Sequence, residues 1–299
     1  MGELKGTLTL LFLVANTAWH CTILYLLAII RIPLTGAARI WLETRMDHWV
    51  IDGWVAANRF WFGMLRTCDV RVTWRGSHRL DRDGWYMVVS NHQTWTDILL
   101  LQTTLRRVLP PVKFFTKQQL IWVPLLGLAM YLLGFPYVRR LSKEERARNP
   151  NLANVDRSNT LAACERFRTH PTAILNFLEG TRFTHEKHER QPAPAFRHLL
   201  NPRLGGLGYV LEGMADDLRC LVDVTIHYPA GVPTFWQFVK GECPRADLLI
   251  ETHSIPREAM VARTQREALG AFAGRLWQAK DARLERARAG GIELAAMNE

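Results

Sequence analysis

From residue 6 to residue 30 the chain carries no charged side chain. Coiled as a helix, that run would extend about 37 Å, against roughly 30 Å for the hydrocarbon core of a bilayer. A cleaved signal peptide would have a shorter apolar core closed by small residues, and neither feature is present. The pattern predicts an uncleaved membrane anchor. Asn16, Thr17, His20, Cys21 and Thr22 interrupt its centre. They leave open a buried core helix or a re-entrant hairpin bent near Asn16.

Arg31, Arg39 and Arg45 follow the run, whereas Lys5 before it is balanced by Glu3. Positive charge on the C-terminal side places the bulk of the chain in the cytoplasm. In the Trp-rich stretch 41–66, Met46, Trp49, Val50, Trp54 and Trp61 share helical spacing, with Arg45, Asp52 and Arg59 among them. This predicts an amphipathic helix, either lying on a membrane surface or packed on the main domain. A second uncharged run, 118–138, contains Pro124, Gly127, Gly134 and Pro136. Those residues break a spanning helix and predict a short helix near the membrane surface, then a turn and a strand. The chain reads as monotopic or single-pass.

Beyond residue 66 strand and helix patterns alternate. Apolar alternation or short apolar runs predict strands at 70–74, 85–90, 112–116, 135–138, 173–178, 220–228 and 248–253. Helical segments fall between them, from residue 96, at 120–133, 156–168 and 205–216, and after Pro256. The alternation predicts an α/β fold, a substantially parallel sheet flanked by helices, whose sites sit where strands end and loops begin. Three regions result: an anchor with its Trp-rich helix (1–66), an α/β domain (67–255) and a helical extension (256–299). The extension, rich in Ala, Arg and Glu to about residue 288, reads as a solvated helix.

Composition narrows the setting. With 299 residues, 48% of them apolar and 22% charged, the chain is not disordered. Its net charge of +10 suits a polyanionic partner, whether nucleic acid, an anionic membrane or a phosphorylated substrate. Eleven Trp favour a membrane–water interface. Five scattered cysteines without a C-x-x-C pair argue against a disulfide scaffold or a zinc site.

Three segments carry chemistry. His92 and Asp97 lie just past the strand 85–90. A His backed by a carboxylate is a general base of fixed tautomer, provided His92 is in the loop and Asp97 in the first helical turn. His78 and Asp83 repeat the spacing in a polar loop with no strand feeding it; they are the decoy. Glu179-Gly180-Thr181-Arg182 follows the strand 173–178. Its Gly permits close backbone approach and its Arg matches phosphate oxygens, although Glu179 and Arg182 could simply pair around a turn. Gly134 to Arg140 ends in adjacent arginines.

In order and spacing the three segments resemble the glycerolipid acyltransferases, specifically the lysophosphatidic acid acyltransferase (1-acylglycerol-3-phosphate O-acyltransferase, PlsC-like) family. The N-H-x4-D block is matched by Asn91, His92 and Asp97. K-x-x-L-x-W-x-P-x-x-G followed by G-x5-R is matched by Lys117, Leu120, Trp122, Pro124, Gly127, Gly134 and Arg140. F-x-E-G-T-R is matched by Phe177, Glu179, Gly180, Thr181 and Arg182. The longer forms NHQTWTDI and FLEGTRFT-x2-KH-x2-Q are similar to the YihG-type bacterial branch and to eukaryotic relatives. The resemblance covers about 90–229. It departs at the fourth block, where Asp223 stands in place of the Pro of an apolar V-P-V stretch.

The resemblance implies acyl transfer from acyl-CoA or acyl-ACP to the sn-2 hydroxyl of 1-acylglycerol-3-phosphate, on the cytoplasmic face of the cell's inner membrane, without metal or cofactor. His92 and Asp97 are the expected catalytic pair. Arg140, Arg182, Gly180 and Thr181 are expected to hold the acceptor's phosphate, Glu179 to orient Arg182 or touch the glycerol, and Lys117 to contribute to the substrate site. No G-x-S-x-G elbow and no Cys near His92 offers a nucleophile. His185, Glu186 and His188 fall one residue short of H-E-x-x-H and read as a solvated loop. A different lyso-acceptor is the near alternative. A non-catalytic membrane-anchored protein binding anionic lipid or nucleic acid is the distant one, disfavoured because no nucleic-acid module is recognisable.

Overall fold

In the computed structural model, which describes residues 2–138, 151–260 and 265–290, the aliphatic runs pair into a six-stranded sheet. Its strands are β1 (Asp69–Arg75), β2 (Trp85–Ser90), β3 (Val112–Phe114), β6 (Ala173–Phe177), β7 (Leu218–His227) and β8 (Arg245–His253). Two short strands, β4 (Thr116–Lys117) and β5 (Tyr137–Val138), pair separately. The order is β1-β8-β7-β2-β6-β3, parallel throughout except between β7 and β8. That reversal makes the expected parallel sheet a mixed one. The cause lies in the connection, whose one helix, α9 (Phe235–Lys240), is about 9 Å long against about 33 Å for the ten-residue β7. It turns the chain at one end instead of carrying it back.

β2 is central and reads as an uninterrupted apolar run because both faces are covered. Tyr86 and Val88 face a core shared with Leu101 and Leu105 of α4 (Thr96–Leu105). Met87 and Val89 face the opposite core. There they meet α6 (Asn151–Phe167), α8 (Gly205–Met214) and α10 (Gln265–Gly290). Leu101 is fully buried, and truncating such a residue costs about 2–5 kcal/mol. The C-terminal helix is not solvated as its composition suggested. Leu269, Phe272, Leu276, Trp277 and Leu284 put one face of α10 into the second core.

The N-terminal run forms one helix, α1 (Gly2–Arg31), unbroken at Asn16. It is followed by α2 (Gly36–Met46), a π-helical turn (Asp47–Asp52) and α3 (Gly53–Leu65). The polar residues of the apolar run are explained by what they meet. Asn16 donates to Asn58 Oδ1 at 2.8 Å and to the Trp54 carbonyl at 3.1 Å. Trp54 and Trp61 donate their indole N–H groups to Thr17 and Thr9. On α3, Trp54 and Trp61 face α1 and pack against the first core, whereas Trp41, Trp49 and Phe60 of the Trp-rich stretch stay exposed. The opposite face of α1, with Leu8, Leu11, Val14, Trp19 and Ile29, is exposed. Asp47 of the π turn accepts from Lys113 Nζ (2.6 Å) and His170 Nε2 (2.8 Å), all three buried. That cluster pins the N-terminal helices to the edge of the sheet beside β3.

Candidate active site

Strand register builds the site. Ser90, the last residue of β2, lies opposite Phe177 of β6 and Val224 of β7, so the segments after these strands converge at the C-terminal end of the parallel strands. Asn91 continues the β2 line with its side chain. Its amide donates to the Ile226 carbonyl at 3.0 Å and accepts from the Ile226 N–H at 2.8 Å. Gln93 adds a bond to the same carbonyl. The loop bearing His92 is thereby stitched to β7.

His92 sits in the loop and Asp97 in the first turn of α4, the placement their spacing requires. His92 Nδ1 lies 2.9 Å from Asp97 Oδ2. The carboxylate can only accept, so Nδ1 carries the proton and Nε2 presents its lone pair. Asp97 Oδ2 also accepts the backbone N–H groups of Gln93 (2.5 Å) and Thr94 (2.9 Å). The Tyr228 hydroxyl donates to Asp97 Oδ1 at 2.6 Å. Asp97 is fully buried and His92 nearly so, the ring stacked on Phe177 at a centroid distance of 4.0 Å. Burial, reinforced by the Asp97 charge, drives the Tyr228 hydroxyl well above its ordinary range, so it stays a donor. The decoy pair separates: His78 turns to Thr252 and Ser254, and Asp83 sits in an exposed turn.

Glu179 differs from its expectation. Its two carboxylate oxygens accept the backbone N–H of His92 (2.7 Å) and of Leu200 (2.9 Å). It is buried and holds main chain, with neither oxygen turned to Arg182. Burial pushes its carboxyl up to about 8, against the downward pull of those two N–H groups. Gly180 adopts φ +66, open to Gly at little cost, and a Cβ there would approach Arg203 Cδ to 2.9 Å. Phe183 N–H donates to the His92 carbonyl at 2.7 Å, bringing Thr181 and Arg182 beside His92. Arg182 lies over the Trp95 ring at 5.0 Å, and Lys187 donates to Thr181 Oγ1 at 3.1 Å. With exposed Arg203 these make a cationic rim. Lys117 is exposed on β4. Arg140 lies outside the described residues, as does most of the Arg-rich stretch after it.

Sequence reasoning missed Tyr228 and Arg203. Tyr228 follows directly on β7, at the same end of the strands as His92, and that position was the available signal. Arg203 carried none, since only the fold returns it to Gly180. Asp223 departs from the family's apolar block for a visible reason. It turns toward α10 and pairs with Lys280 Nζ at 2.7 Å, both side chains fully buried. Among the described residues, Asp223, Glu251 and His253 have a metal-like grouping, but Lys280 and Arg283 already pair with the two carboxylates. His185–Glu189 forms a short exposed helix, α7, capped by Thr184.

Comparison with known proteins agrees with this architecture. Residues 71–211 match the family model Acyltransferase. Lysocardiolipin acyltransferase 1 of Gallus gallus is 25% identical over 272 residues, covering 87% of this chain and 68% of that protein. 1-Acyl-sn-glycerol-3-phosphate acyltransferase delta of Bos taurus is 24% identical over 282 residues, covering 90% and 68%. For other relatives the match covers about half of their length, as with the Danio rerio lysocardiolipin acyltransferase 1 at 52%. The crystal structure of the 1-acyl-sn-glycerophosphate acyltransferase PlsC from Thermotoga maritima superposes with a TM-score of 0.57 at 16% identity, covering 95% of this chain and 98% of that one. That likeness establishes the fold, an α/β sheet flanked by helices with an apolar N-terminal helix. The chain thus resembles proteins named as lipid acyltransferases, and its match to the Acyltransferase model spans residues 71–211.

Proposed function

We propose that the chain moves a fatty acyl group from acyl-CoA or acyl-ACP to the sn-2 hydroxyl of 1-acyl-sn-glycerol-3-phosphate, giving phosphatidic acid. The observation that carries this reading is the buried His92–Asp97 pair with Nε2 left to a substrate. Nε2 takes the proton of the acceptor hydroxyl as its oxygen attacks the thioester carbonyl. Collapse of the tetrahedral intermediate breaks the C–S bond, and the imidazolium returns the proton to the departing thiolate. Asp97 holds the ring and stabilises its charge. Arg182, with the Arg203 and Lys187 cations near it, suits a phosphate monoester. Arg140 and Lys117 are assigned to the same anion by family resemblance. A lysophospholipid with a larger head group is the second acceptor class, favoured by the relatives named for lysocardiolipin.

The apolar outer face of α1 is the membrane contact in this proposal. The helix is tied to the domain towards both ends: Glu3 pairs with Lys240 at 2.8 Å, and the Tyr25 hydroxyl donates to the Leu125 carbonyl. A helix held at both ends lies along the domain with one side in lipid, on the cytoplasmic face of the inner membrane. The test is transfer of labelled acyl groups, from CoA and separately from acyl carrier protein, in membranes carrying the wild type. 1-Acylglycerol-3-phosphate and head-group lysolipids are offered side by side. Transfer to the phosphate monoester is expected; transfer to head-group lysolipids alone would replace the acceptor, and no transfer would end the proposal.

A further inference from the structure

The segment between β4 and β5 exposes Ile121, Trp122, Val123, Leu125, Leu126 and Leu128, with Trp122 86% exposed. Scattered apolar residues are ordinary on a protein surface, whereas a contiguous group marks an interaction site. The core does not need them. Helix α5 (Leu126–Leu132) makes its inward contacts through Ala129 and Met130, beside Cys21 and Leu24 of α1.

The tip is held in a shape its sequence resists. Leu125 has φ 63 and ψ −57, and the Leu126 N–H donates to the Pro124 carbonyl at 2.7 Å. That is a γ-turn, strained for any residue bearing a side chain. Two features keep it there. The Tyr25 hydroxyl of α1 donates to the Leu125 carbonyl, and Gly127 lets the chain fold back where a Cβ would collide with the Ile121 carbonyl. Leu26, Ile29 and Ile30 of α1 are exposed just past Tyr25, and Tyr25 ties that end of the helix to the tip. Pairing of β4 with β5 sets Lys117 opposite Val138 at the root, and Arg139 and Arg140 follow in sequence. An apolar tip with the Lys117 cation at its root matches a bilayer, acyl chains inside and anionic phosphates at the rim.

We propose that residues 121–128 insert into the same leaflet as the exposed face of α1, forming a second membrane contact. The proposal rests on the reading of α1 as membrane-facing. The test uses the full chain with mixed vesicles of phosphatidylethanolamine and phosphatidylglycerol. Trp122→Asp with Leu125→Asp is expected to weaken vesicle binding about tenfold or more, with an unchanged thermal midpoint in detergent. Trp122→Phe is expected to keep binding while removing part of the fluorescence quenching by lipids brominated on their acyl chains. Leu125→Gly relieves the turn, so its detergent midpoint holds or rises while vesicle binding falls.

A wild type that ignores vesicles overturns both the α1 reading and this one. A wild type that binds, with quenching unchanged in Trp122→Phe and affinity unchanged in the Asp variants, overturns this one alone. Should the Asp pair fail to fold, the Trp122→Phe quenching decides. Self-association in detergent that the same variants abolish would assign the surface to a second copy and overturn the lipid assignment.

Discussion

Tyr228 donates its hydroxyl to Asp97 Oδ1 at 2.6 Å, while Asp97 Oδ2 serves His92 and two backbone N–H groups. Each carboxylate oxygen thus has its own donor set, and Tyr228 is the donor recorded on Oδ1. Hydrogen bonds to charged partners contribute about 1.5–3 kcal/mol. If that orientation is needed in the transition state, Tyr228→Phe lowers kcat roughly ten- to a hundredfold. The acceptor KM stays near the wild-type value. Steady-state kinetics with varied acceptor checks this, and an unchanged kcat would remove Tyr228 from the mechanism.

Glu179 links pH to stability. Its folded-state value, about 8, stands above the ordinary 4.5. The folded protein therefore binds a proton that the unfolded chain has released between those values. Stability from this group is complete below about 4.5 and is lost as pH climbs through about 8. Thermal unfolding across that window should show the midpoint falling with pH, and Glu179→Gln should flatten that part of the slope. Because Gln offers one acceptor where Glu179 offers two, the variant is also less stable at the acid end.

Much of the site was legible in the sequence, and the limits have physical causes. His92 and Asp97 could be placed because a strand visibly feeds their loop. The partners of Glu179, the amides of His92 and Leu200, come from chain segments remote from it, and no local pattern records them. The C-terminal helix hid its buried face differently. Leu269, Phe272, Leu276, Trp277 and Leu284 have helical spacing, but abundant Arg and Glu diluted the pattern, and Lys280 occupies a core position. Asn16, Thr17 and Thr9 of α1 have partners, Asn58, Trp54 and Trp61, 37 to 52 residues away, which no local pattern in the apolar run records.

Lys280 joins α10 to the strand behind the site, through Asp223 Oδ1 at 2.7 Å and the Val224 carbonyl at 2.6 Å. Removing one partner of a buried pair costs about 3–5 kcal/mol because a charge is left unpaired. Lys280→Met should lower unfolding stability by that amount. Adding Asp223→Asn removes the orphaned charge, so the double variant should lose less than the two single losses combined. Denaturant titration of the four proteins checks the coupling, and strict additivity would contradict it.

Arg182 rests over Trp95 at 5.0 Å, beside the loop that carries His92. Arg182→Ala should raise the apparent KM for the phosphorylated acceptor, with a smaller change in kcat and none in the donor KM. Loss of donor affinity instead would move Arg182 to the thioester side of the site.

In the proposed reaction His92 is the base of an acyl transfer and has no part in holding the protein to lipid. The most direct measurement compares wild type with His92→Ala in two assays on one preparation: acyl transfer to 1-acylglycerol-3-phosphate, and binding to phospholipid vesicles. If His92 acts as the base alone, transfer disappears in the variant while vesicle binding and the unfolding midpoint are kept. Persistent transfer, or joint loss of transfer and binding from a folded variant, would contradict it.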